Sequence, residues 1–256
     1  VGSQSVSDRL GELHFPEITI TVGPDVVDVA ASDASLAGQG ASDLRHCIDR
    51  SNCPDSSLQA ASNGNGNGNV ESGEVDAFEA NAISGLNIAL ALGGGSFAEF
   101  GDALRQLVTI DGSPARQASV ERFEIDEAEG SVGSAARVLV SFTLRIQYPG
   151  VNDANHHTVS IARSESGLDL ADRIVVAPAG GWRIKEDSIA PAGLQAHYND
   201  GRISGSQREL EGPEPLTFEL EKKAGLSGWG WFLLISLLLL VVGAVLYYLN
   251  KRRRKV

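Results

Sequence analysis

Lysine is almost missing from the first 228 residues: only Lys185, Lys222 and Lys223 occur there, against thirteen arginines. Carboxylates are missing from the other end. All 33 precede residue 224, where the remaining 16 of the 21 cations leave an excess of 17 negative charges. A surface of that sign repels nucleic acid, which is set aside as a partner. A lysine-poor, acidic chain rich in Ala, Gly and Val fits life in concentrated salt, as in salt-loving archaea, where screening lets a surface carry high net charge. A GC-rich genome would also exchange Lys for Arg. Methionine is absent and the chain starts at Val1, so a removed signal peptide or an expressed piece is expected. No Asn-x-Ser/Thr triplet occurs, and N-glycosylation is not expected. The only cysteines, Cys47 and Cys53, are close enough in sequence for a short disulfide loop in an oxidising compartment, the alternative being two free thiols.

Charge is absent altogether from Trp229 to Leu249, WGWFLLISLLLLVVGAVLYYL. As a helix these residues would span roughly 31 Å, the thickness of a bilayer's hydrocarbon core. Trp229 and Trp231 mark one interface and Tyr247 and Tyr248 the other. Lys251, Arg252, Arg253, Arg254 and Lys255 follow at once. Positive charge stays in the cytoplasm, so the pattern predicts a single-pass protein of the cell membrane. Residues 1–228 would lie outside and 250–256 would form a basic cytoplasmic tail. The lipid bilayer is thereby an expected partner.

The outer part reads as α+β: a small helical, calcium-loop-like module plus an antiparallel β-sandwich-like module, followed by the one C-terminal transmembrane helix. Residues 1–40 form an N-terminal β segment. Ile18, Ile20 and Val22 alternate with Thr19 and Thr21, and Val26–Val29 resumes after Pro24. Ser32–Gly40 reads as a loop. Residues 41–112 form the helical module. Ser42–Asp49 is a short helix, and Glu74–Leu92 carries Val75, Phe78, Ala82, Ile83, Leu86 and Leu90 on one face. A helix from Ser96, with Glu99 completing a capping box, carries Phe97, Phe100, Leu104, Leu107 and Val108. Gly93–Gly95 joins the two as a hairpin. Residues 113–223 form the β-rich module. Its clearest strand is Val138–Tyr148, with the even-numbered residues on a dry face. Val120–Ile125, Thr158–Ala162, Arg173–Ala177 and Leu216–Leu220 are further strands, and Gly205–Pro215 a connection. Residues 224–228 are a juxtamembrane linker, too short for a stalk.

One stretch carries chemistry. In Asn63-Gly-Asn65-Gly-Asn67-Gly68-Asn69-Val70-Glu71-Ser72-Gly73-Glu74, oxygen-bearing side chains recur at loop positions 1, 3 and 5. Gly stands at 6, an apolar residue at 8 and Glu at 12, with a helix following. The pattern resembles EF-hand and dockerin-type calcium loops, in particular the single loops of archaeal cell-surface proteins, over about 45 residues from Leu44 to Leu90. The resemblance implies Ca²⁺ held by side-chain oxygens of Asn63, Asn65 and Asn67, the Asn69 carbonyl and a bidentate Glu74. It departs from the family in having Asn in place of Asp at three positions, and in its displaced entering helix, which ends near Asp49. Asp49 or Asp55 folding back could restore charge. The same Asn-Gly repeats also fit a metal-free turn.

Other constellations are weak. Adjacent His156 and His157 point to opposite faces of a strand and read as a solvated pair. Asp102 and Asp111, like Glu121, Glu124 and Glu127, read as a solvated acidic face. Trp182 reads as a core anchor. Ser141, Ser160 and Ser188 lack a nucleophile elbow, and Gly93–Gly95 has no phosphate-cradle context. No catalytic residue is singled out. The expectation is a membrane-anchored cell-surface or envelope protein that binds a protein partner or has a structural role. The alternatives are a virion membrane or spike protein of an archaeal virus, or a membrane-tethered extracellular hydrolase.

Overall fold

A computed structural model describes residues 13–51, 53, 58–92, 96–149, 155–162, 171–210 and 212–223. The segment 229–249 and the basic tail lie outside them, as do Asp55 and the Gly93–Gly95 turn. No helix among the described residues is long and apolar enough to cross a membrane. The α+β class holds: strands β1 to β13 dominate, with helices α1 (Gln39–Asp49), α2 (Ser72–Leu92), α3 (Ser96–Leu107) and the single turn α4 (Gln207–Leu210).

The longest-range organisation differs from three segments in series. The seven-stranded sheet runs β11-β12-β9-β1-β2-β7-β5. Its strands are β1 (Phe15–Val22), β2 (Val26–Leu36), β5 (Gln117–Asp126), β7 (Val138–Gln147), β9 (Ala171–Pro178), β11 (Tyr198–Asn199) and β12 (Arg202–Ser206). The N-terminal hairpin β1–β2 is thus the middle of a sheet whose flanks come from residues after 113. The described residues as far as Glu221 form one compact unit with one hydrophobic core cluster. Alternating chains can be read for which face is dry, but not for which strand lies beside them.

The expected antiparallel pairing does not hold at β1 and β9. β1 pairs β9 in parallel, with Ile18 opposite Ile174 and Ile20 opposite Val176. β2 and β7 are antiparallel, with Val29 opposite Leu144 and Ala31 opposite Phe142. In β7 the even-numbered residues from Val138 to Ile146 are buried, and Tyr148 beyond its end is buried too. Each such side chain contributes ~1.5–3 kcal/mol of transfer free energy. The Tyr148 hydroxyl donates to the Val108 carbonyl at 2.9 Å. Burial pushes its pKa well above the ordinary tyrosine value.

A second, four-stranded sheet has the order β10-β13-β8-β4, built from β10 (Trp182–Ala190), β13 (Leu216–Lys222), β8 (His156–Ile161) and β4 (Val108–Ile110). Its Ile184, Phe218, Leu220, Val159 and Ile161 join the same core cluster. β10 was not legible because only Ile184 and Ile189 are buried in it, and Arg183, Lys185, Glu186 and Asp187 interrupt any alternation. Ser32–Gly40, expected as a loop, is instead the end of β2 and the start of α1. A bulge between Ala31 and Ala34, with Asp33 at φ 59°, lets Ala34 and Leu36 stay buried although the local sequence is small and polar. The expected connection Gly205–Pro215 contains the end of β12 and α4, whose Leu210 is buried.

Helix α2 packs on the edge strand β5 and covers its open backbone. Val75, Phe78, Ala82, Leu86 and Leu90 are buried, with Ile83 partly so. Asn87 Oδ1 accepts the Val120 N–H at 2.7 Å, and its amide donates to the Val120 carbonyl at 3.1 Å. Glu79 Oε1 accepts the Ile125 N–H at 2.6 Å. These side chains do for the edge what a further strand would do. Asn87→Ala should therefore cost ~1–3 kcal/mol in denaturant melts, because it leaves a strand donor and acceptor unpaired under a helix.

Candidate functional site

The loop at Asn63–Glu74 is built from both of its ends. α1 ends at Asp49, where Arg50 turns left-handed at φ 66° and gives its N–H to the Cys47 carbonyl. Cys47 and Cys53 are bonded, with Cα atoms 4.1 Å apart. Beyond a single 3-10 turn at Gln59–Ala61, which buries Leu58 and Ala61, the chain comes back along the end of α1. The Ser62 hydroxyl donates to the Cys47 carbonyl at 2.6 Å, and Gly66 N–H to the Asp49 carbonyl at 2.8 Å. A β-carbon on Gly64 would stand 2.4 Å from the Ile48 carbonyl oxygen, so only glycine allows this approach.

From Asn65 the chain turns by side-chain to backbone bonds. Asn65 Oδ1 accepts the Asn67 N–H, and Asn67 Oδ1 accepts the Asn69 N–H, each at 2.8 Å. Gly66 and Gly68 take φ of 72° and 83°. Asn69–Val70 (β3) then pairs with Gly130–Ser131 (β6), and Val70 is buried. Glu74 sits in the first turn of α2, where its charge suits the helix dipole. Its carboxylate reaches back: Oε1 accepts the Asn65 N–H at 2.7 Å and Oε2 the Glu71 N–H at 3.1 Å. Of the residues singled out by spacing, Asn65, Asn67 and Glu74 converge on one turn. All four loop asparagines, Asn63, Asn65, Asn67 and Asn69, are exposed.

Asp49 completes the arrangement. It is fully buried, and its Oδ2 accepts the Gly68 N–H at 3.1 Å. Its Oδ1 is the one buried side-chain oxygen or nitrogen without a hydrogen-bond partner among the described residues. The donor set is all oxygen, which suits a hard cation such as Ca²⁺.

α1 is fastened to residues 127–137, on which the loop also rests through β3–β6, by Arg45, which is 1% exposed. Its guanidinium donates to the carbonyls of Glu127 (2.8 Å), Ala128 (2.9 Å), Ser134 (3.0 Å), Ala136 (2.8 Å) and Arg137 (3.5 Å). Sequence reading missed Arg45, since an arginine in a short amphipathic helix carries no mark of burial.

Beside the loop, Asp76, Glu79, Glu124, Asp126, Glu127 and Glu129 line a cleft of about 330 Å³. Glu127 is paired with Arg137, and Glu124 with Arg122. Desolvation pushes the Glu79 pKa up; the Ile125 N–H opposes this, and the charges of Glu124, Asp76 and Asp126 add to it. A carboxyl whose folded pKa is raised holds its proton more tightly when folded. Stability is therefore lost as pH rises from the unfolded pKa through the folded one. Glu79→Gln keeps an acceptor for Ile125. It should match the wild type in acid and exceed it in urea melts at neutral pH.

The histidines separate as expected for neighbours on a strand, but they are not a solvated pair. His156 is exposed. His157 is 3% exposed, shares a 2.8 Å bond between Nδ1 and Asp111 Oδ2, and packs on Trp182 with centroids 5.2 Å apart. Asp111 also accepts the Thr158 N–H at 2.8 Å, so it is a structural partner rather than part of a solvated face. His156, Glu219 and Glu221 lie at ligand spacing. Lys185 already holds Glu219 at 3.0 Å and Arg183 holds Glu221 at 2.7 Å, which offsets the charge a cation would use.

The site thus defines a disulfide-bridged α+β domain with an oxygen-lined turn at its surface. No protein-family model matches the chain, and neither curated proteins nor solved structures give a significant match.

Proposed function

We propose that this chain is a single-pass membrane-anchored surface protein whose outer α+β domain acts by binding or structural contact, with calcium bound weakly at the Asn63–Glu74 turn. The observation that carries the anchoring is the uncharged run Trp229–Leu249 followed at once by five cations in Lys251–Lys255. The bonded Cys47–Cys53 pair supports an oxidising, outer location for the folded part. The negative charge excess supports a high-salt setting, and the loop's three asparagines support calcium affinity at the weak, extracellular end of the range. The partner is a protein or another component of the envelope.

A binding role is favoured over hydrolysis by what lines a cleft of about 640 Å³. Its Arg183, Lys185 and Glu221 belong to the ion pairs just described. The His157–Asp111 pair has its histidine ring shielded from solvent.

Alkaline carbonate extraction tests the anchor. The full chain should remain with the membrane pellet, and a chain ending at Lys223 should be released. Release of the full chain would reject the anchoring.

A further inference from the structure

We infer that Asp49, which lies outside the loop motif, is the charged ligand at the head of the calcium site and takes the place that spacing gives to Asn63. The inference rests on the calcium reading above and names the residue that makes it electrostatically workable.

A fully buried carboxylate costs free energy unless both oxygens are engaged. In Asp49, Oδ2 accepts the Gly68 N–H and Oδ1 has no hydrogen-bond partner. Arg45, one helical turn earlier, does not relieve it, because that guanidinium is directed to five carbonyls of residues 127–137. The orphaned oxygen belongs to a residue fastened to the loop. The Asp49 carbonyl holds Gly66 N–H at 2.8 Å, and Gly64 lies so close that a β-carbon would fall 2.5 Å from Asp49 Cα.

Glu74 reaches the same turn from the other side, through the Asn65 N–H. The two carboxylates therefore hold amides three residues apart. Asn65 Oδ1 and Asn67 Oδ1 belong to the same turn, each using one lone pair on a backbone N–H and keeping another. Two carboxylates and two amide oxygens match the charge and hardness of a divalent, oxygen-seeking cation. The replacement of the family's aspartate by Asn63 is compensated by Asp49, whose Oδ2 holds the Gly68 N–H inside the turn.

Calorimetric titration of calcium into the full chain in detergent micelles separates the possibilities. Asp49→Asn should weaken binding about tenfold or more, by loss of one formal charge from a two-carboxylate site, whereas Asn63→Ala should leave affinity near that of the wild type. Melting in chelator gives an independent readout. Asp49→Asn removes the uncompensated charge, so it should melt higher than the wild type without calcium and lose the calcium-dependent rise. If Asp49→Asn binds like the wild type while Asn63→Ala and Glu74→Gln do not, Asp49 is no ligand, although the loop still binds. If the wild type gives no heat with millimolar calcium, the loop reading fails and this inference with it. Should Asp49→Asn not fold, the carbon-13 resonance of the Asp49 carboxylate in the wild type decides. A shift on adding calcium supports ligation, and an unmoved resonance overturns it.

Discussion

Replacing Arg45 with methionine should lower stability by ~3–5 kcal/mol, the cost of removing a buried charged group that organises its surroundings. For a domain of this size that is a fall of roughly 6–20 °C in Tm. The side chain is 1% exposed and collects five carbonyls from Glu127 to Arg137, which would otherwise point into a space without donors. Some of those carbonyls would regain water, so the cost should fall short of the sum of five unpaired groups at ~1–3 kcal/mol each. Arg45→Lys keeps the charge but replaces a planar five-donor fork with three donors on one nitrogen. It should land between the wild type and methionine. The loop at Asn63–Glu74 leans on this segment through β3–β6, so calcium affinity should fall with stability. Thermal unfolding followed by circular dichroism checks the order. A methionine variant within about 1 kcal/mol of the wild type would mean the carbonyls do not depend on Arg45.

The second large effect concerns calcium. The wild type should bind at the ~10⁻⁴–10⁻³ M end of the range for extracellular loops. Replacing Asn63, Asn65 and Asn67 together by aspartate adds three negative charges around one turn. That should tighten binding by roughly tenfold to a hundredfold, since charge count is the main lever on affinity in such loops. Without calcium the same variant should be less stable, because the new carboxylates repel one another and Glu74. Glu74→Gln removes the charge at the head of α2 and should weaken binding. Calorimetry of the three proteins gives the ranking. Equal affinity for the wild type and the triple variant would argue that the turn holds no cation.

Much of the fold was legible where one side of an element is dry and the other wet. Val138–Tyr148 announced its buried face residue by residue, as did Val75 to Leu90 in α2. What periodicity cannot carry is which strands become neighbours. The parallel pairing of β1 with β9 joins residues more than 150 apart in sequence, and nothing in FPEITITV names its partner. β10 was missed because charges interrupt it on both faces, and they are satisfied across strands by Glu219 and Glu221 of β13.

The site was half legible. Asn65, Asn67 and Glu74 converge because their spacing belongs to a turn, which local chemistry enforces. Asp49 could be named only as a residue that might fold back, since an intervening disulfide loop separates it from the motif. Its burial and its missing partner are three-dimensional facts. Arg45 and Asn87 went unread for a related reason. Polar residues that hold backbone atoms of distant segments look, in sequence, like polar residues that face water.

In the proposed arrangement the folded domain is held outside a membrane by the apolar run Trp229–Leu249. The most direct test is protease added to intact cells that express the chain with an epitope after Val256. The folded domain should be lost, leaving a small, protected fragment that carries the epitope and residues 229–256. An intact domain with the epitope removed would contradict it.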